Sequence, residues 1–86
     1  MPYIHQQDRE YLSDIVTQFK TIEFENPGQL NYLITELIKA YIPNNTVTYT
    51  TVNDIVGVLE CAKQEFYRRV ASPYEDNKIE KNGDVY

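Results

Sequence analysis

With 86 residues, a net charge of −5, one cysteine and one histidine, the chain is restricted to a narrow set of designs. A chain of this length makes one domain (1–86) with a thin core, usually supplemented by disulfides, a metal or self-association. The lone Cys61 excludes an internal disulfide, and the lone His5 with no CxxC pair excludes a zinc site, so self-association is the expected supplement and no cofactor or metal is.

The acidic balance argues against DNA as a partner, which needs a field of the opposite sign, but leaves room for one small anion in a local basic pocket. No apolar run approaches the ~20 residues of a membrane span, and no basic-plus-apolar leader is present at the N-terminus. An unpaired cysteine fits a reducing cytoplasm.

In chain order, the first predicted helix runs from about residue 7 to 24, with Leu12, Ile15, Val16, Phe19 and Ile22 recurring at spacings of three and four. Asn26-Pro27-Gly28-Gln29 reads as a helix start: Asn26 caps, Pro27 takes the first helical position, and Gln29 reaches back. The second helix (27–42) carries Leu30, Leu33, Ile34, Leu37, Ile38 and Tyr41 on one face, and Pro43 stops it. Residues 44–49 read as loop. A third helix (51–71) starts near Thr51 with Asp54 completing the cap, and carries Val52, Ile55, Val56, Leu59, Ala62, Phe66 and Val70 inward. Gly57 marks a place where another helix approaches. Ser72-Pro73-Tyr74-Glu75 repeats the cap-proline-carboxylate signature and predicts a break, followed by a short fourth helix (73–81) closed by Gly83. The sum is an all-α fold, a small helical bundle of three main helices plus a short C-terminal helix, expected to be oligomeric.

No constellation for catalysis emerges. His5 has no local serine or cysteine partner, and Cys61, beside Glu60, lacks the electropositive surroundings of a reactive thiol. Three scattered glycines make no phosphate loop. No enzymatic activity is expected.

The chemistry that remains is ionic and aromatic. Eight tyrosines and no tryptophan suit interfaces and ligand walls, although half of such residues simply edge a core. At 100° per residue, Lys63 projects within the apolar sector of the third helix, Arg69 lies on its other flank, Tyr67 borders it on the Lys63 side, and Arg68 points outward. Buried charges need partners, which are either carboxylates such as Glu65 one turn away or a bound anion. For the second reading the ligand-binding set is Lys63, Tyr67, Arg68, Arg69, Tyr74, Arg9 and Tyr3: arginine forks and lysine for phosphate, tyrosine rings for bases. Tyr32, opposite the apolar stripe of the second helix, suits a subunit contact or ligand wall.

The segments PYI (Pro2–Ile4), GQLNYLIT (Gly28–Thr35), NDIVGVLECAKQEFYRRV (Asn53–Val70) and PYEDNKIEKNGDVY (Pro73–Tyr86) resemble a family of short phage and prophage proteins of unknown function. Size and pattern are also similar to viral anti-CBASS sponge proteins, which sequester cyclic nucleotide signals of bacterial immunity. That resemblance implies an oligomer in the cytoplasm of the infected bacterial host, binding a cyclic di- or trinucleotide without cleaving it. The site residues above come from helix geometry and not from the resemblance, and the acidic overall charge departs from what such a ligand calls for. A different class of function, a small phage adaptor docking on a host or virion protein, fits the negative charge, exposed Tyr32 and the acidic, tyrosine-ended tail; a structural virion component is a third.

Overall fold

A computed structural model describes residues 4–86. These residues form an all-α structure with no strand among them. The chain divides into two units, residues 4–51 and 52–86.

In the first unit, the helix expected over 7–24 is two shorter ones, α1 (Gln6–Tyr11) and α2 (Ser13–Phe19). The chain enters α1 at His5, whose carbonyl accepts from the Asp8 and Arg9 N–H groups at 3.0 and 3.2 Å. Leu12 falls out of helical geometry between α1 and α2 (φ −97°, ψ 1°). The Ser13 hydroxyl donates to the Glu10 carbonyl at 2.9 Å, the local side-chain competition that bends helices. Thr21 ends the run earlier than its apolar spacing suggests, because its hydroxyl and its N–H both donate to the Gln18 carbonyl, at 2.8 and 3.1 Å. Residues 22–25 are then non-helical.

Helix α3 (Pro27–Tyr41) begins where its signature places it. Asn26 is extended (φ −160°, ψ 163°), and its Oδ1 accepts from the Gln29 N–H at 3.0 Å. The Gln29 side chain returns the favour with an Oε1 that accepts from the Glu25 N–H at 2.8 Å. Ile42, before Pro43, takes the extended conformation that proline imposes on its predecessor and so ends the helix. A 3-10 turn follows over Pro43–Asn45, with Asn44 and Asn45 at φ 51° and 57°, a region that asparagine tolerates better than most residues.

Helix α4 (Tyr49–Phe66) starts two residues before the expected Thr51. Its cap is Thr48, whose hydroxyl oxygen accepts from the Thr51 N–H at 3.1 Å and lies 2.9 Å from the Thr51 hydroxyl.

The second unit corrects the predicted break at Ser72-Pro73. Helix α4 passes into a π-helical turn (Tyr67–Ala71) and directly into α5 (Ser72–Asn82). Ala71 and Ser72 keep α geometry, and no side chain caps α5. Proline 73 has no N–H to donate, and its ring crowds the carbonyl four residues earlier, that of Arg69. A turn widened to five-residue spacing absorbs that clash without ending the helix. Gly83 closes α5 as expected, with φ 87° and its N–H on the Ile79 carbonyl at 2.8 Å.

Packing is sparse. Among the described residues no hydrophobic side chain is buried, and the one buried residue is Thr51, 8% exposed and satisfied by Thr48. Val52, Val56, Leu59, Phe66 and Val70, expected to face inward, are exposed. A Cβ added at Gly57 would meet nothing within 4 Å, so no neighbouring helix explains that glycine.

Candidate functional site

Of the predicted ligand residues, Lys63, Tyr67, Arg68, Arg69 and Tyr74 are held by the α4–π–α5 helix, Arg9 belongs to α1 in the other unit, and Tyr3 lies outside the described residues. Burial of Lys63 and Arg69, the premise for a captive anion, does not occur. Lys63 is exposed and lies 3.9 Å from Glu60, one turn back. Arg68 and Arg69 both turn onto the carboxylate of Glu65: Arg68 Nη2 donates at 3.0 Å, and Arg69 Nε donates to the same oxygen. The two guanidinium side chains remain 66% and 59% exposed, whereas Glu65 is only 23% exposed beneath them. Glu65 thus acts as the base of a shelf on which two arginines rest. These hydrogen bonds, from Arg69 first and Arg68 second, hold its carboxyl below the usual carboxylate range.

The tyrosines of the set are positioned by different partners. Tyr67 donates its hydroxyl to Glu75 Oε1 at 2.7 Å, and that bond, followed by the charge of Glu75, raises the phenol above its ordinary value. The eight-residue separation is two turns of a continuous helix, so the pairing exists only because the helix runs through Ser72-Pro73. Lys78 Nζ sits 5.5 Å from the centre of the Tyr74 ring, four residues away, in a cation–π arrangement. Arg68, Arg69 and Tyr67 share the π turn, Tyr74 follows on α5, and Lys63 precedes them on α4.

Sequence reasoning named Glu65 only as an alternative partner and spent Glu75 on a cap that does not form. The Glu65 contacts were legible as three- and four-residue spacings. That of Glu75 was hidden by the assumed break.

Two open concavities lie elsewhere. One, of about 330 Å³, is formed by Glu75, Lys78, Ile79 and the tail through Tyr86, where the Tyr86 N–H donates to Asp84 Oδ1 at 2.9 Å. The other, about 470 Å³ and largely apolar, lies in the first unit between Ile22, Phe24 and the start of α3, with Tyr32 in its wall. Among the described residues no group of three or more His, Cys, Asp or Glu side chains is placed to hold a metal ion. No helix there is long and apolar enough to cross a membrane.

The arrangement is therefore a shelf of two guanidinium groups over one carboxylate, edged by tyrosine. Such a shelf can accept a phosphate through arginine N–H groups and stack a base on an adjacent ring. Comparison with curated proteins and with solved structures returned no match. The profile of a domain of unknown function, DUF6899, matches residues 1–85, and the chain belongs to that family.

Proposed function

We propose that this chain is a non-catalytic phage immune-evasion protein that captures a cyclic nucleotide second messenger, with the Arg68–Arg69 shelf as the phosphate contact. The observation that carries this reading is the sharing of one carboxylate by two exposed guanidinium groups at the π turn. The partly exposed ring of Tyr67 stands beside it with its hydroxyl fixed by Glu75, so its orientation is set before a ligand arrives. Tyr74 and Lys78 extend the same polar and aromatic character along α5.

Calorimetric titration with cyclic di- and trinucleotides tests it. Binding at micromolar protein is expected for at least one of them, weakened about 10- to 100-fold in Arg69→Ala, the scale of a lost charged hydrogen bond. Absence of heat with all of them defeats the reading. The exposed apolar faces favour a second one, an adaptor for a host or virion protein, which a stoichiometric partner recovered from host lysate would support.

A further inference from the structure

We propose that Pro73 is a positioning residue for Tyr67: by imposing the π turn it brings the Tyr67 hydroxyl over Glu75, and so sets the ring that neighbours Arg68 and Arg69. The effect on a bound nucleotide rests on the function proposed above, whereas the register argument does not. Pro73 is exposed and stands six residues from Tyr67, so its influence passes through the backbone. The backbone shows the route. The Ser72 N–H donates to the Tyr67 carbonyl, five residues back, where an α-helix would use Arg68. Phe66 and Ser72, on either side, keep ordinary α geometry, so the wider spacing is confined to this turn.

Helical geometry makes the tyrosine contact conditional on that turn. At 100° per residue, eight residues of regular α-helix would carry Glu75 about 80° past alignment with Tyr67. A turn that absorbs one extra residue brings the step close to that of seven α-helical residues, about 20° short of two full turns and about 10 Å along the axis. Glu75 then lies above Tyr67 and leans back toward it, because helical side chains tilt toward the N-terminus. The 2.7 Å bond from the Tyr67 hydroxyl to Glu75 Oε1 is the result. The arginine contacts have no such dependence. Arg68 and Arg69 stand three and four residues from Glu65, positions that are neighbours in a regular α-helix as well. Loss of the proline therefore separates the tyrosine from its acceptor and leaves the arginines on theirs.

Pro73→Ala in the full chain, followed by NMR and ultraviolet titration, tests it. Through-hydrogen-bond coupling of the Ser72 N–H should move from the Tyr67 carbonyl to that of Arg68. Tyr67 should lose its late ionisation as completely as in Glu75→Ala, with no further change in the double variant, while the Glu65 carboxyl stays below the usual range. With a cyclic nucleotide that binds the wild-type chain, Pro73→Ala should weaken affinity about tenfold, the scale of one misplaced stacking ring. An α-helical turn in Pro73→Ala with Tyr67 still ionising late would overturn the proposal, and so would a π turn that persists without the proline. Unchanged affinity once Tyr67 is released would overturn its part in binding. If no nucleotide binds the wild-type chain, the functional reading falls, and the titration alone decides whether Pro73 positions Tyr67.

Discussion

Asn26-Pro27-Gly28-Gln29 and Ser72-Pro73-Tyr74-Glu75 carry one signature, and the chain uses it in opposite ways. At Asn26 the backbone is extended, the side chain caps Gln29, and a helix begins. At Ser72 the backbone is already helical, the serine caps nothing, and Glu75 holds the Tyr67 hydroxyl instead. The difference lies in what comes before. Residues 22–25 are non-helical when they reach Asn26, whereas Val70 and Ala71 arrive at Ser72 on a helix already several turns long. Extending a formed helix costs far less than nucleating a new one, so a proline that starts a helix in one place is tolerated inside one in the other. The functional consequence is local. The π turn that accommodates Pro73 is the segment carrying Tyr67, Arg68 and Arg69.

The comparison can be broken most forcefully at the prolines. Pro73→Ala should restore regular α geometry and raise stability in chemical denaturation by up to about 3 kcal/mol, the cost of an interior proline, reduced by whatever the π turn already relieves. Pro27→Ala, at a first helical position, should change stability by well under half as much. Equal effects would mean that the two prolines occupy equivalent places.

A smaller contrast is expected at the preceding residues. Asn26→Ala should cost about 1 kcal/mol through the lost cap. Ser72→Ala should be neutral or stabilising by a few tenths of a kcal/mol, as alanine is the better interior helix residue. Equal losses in the two melts would place a working cap at Ser72.

Titration sharpens the picture further. Tyr67 has a raised phenol, so the contact with Glu75 contributes fully below the ordinary phenol value near 10 and is lost as pH rises through the higher folded value. Ultraviolet titration should therefore show Tyr67 ionising late in the folded protein, and Glu75→Ala should remove that late component. At the acid end, the lowered Glu65 contributes above the usual carboxylate range and loses that contribution as pH falls through its lower folded value. Glu65→Gln should flatten this part of the stability profile only slightly, because both arginine partners remain exposed to solvent.

How much was legible follows the range of the contacts. The start of α3, its end at Pro43 and the closing role of Gly83 rest on neighbours within five residues and were readable. So were the charge contacts around Glu65. The shortening at Thr21 was not, since the apolar spacing runs on through Ile22 while the threonine hydroxyl takes the Gln18 carbonyl. The pairing of Tyr67 with Glu75 needed knowledge that the helix continues. The apolar stripe of α4 was plain from spacing, but spacing does not say what covers it.

The central functional claim is capture without cleavage. It is tested most directly by purifying the protein from cells that produce cyclic nucleotide signals, denaturing it, and identifying the released small molecules by mass spectrometry. The account predicts an intact cyclic nucleotide in stoichiometric proportion to the chain, with much less released from Arg68→Ala and Arg69→Ala proteins. Recovery of no nucleotide, or only of linear products, would contradict it.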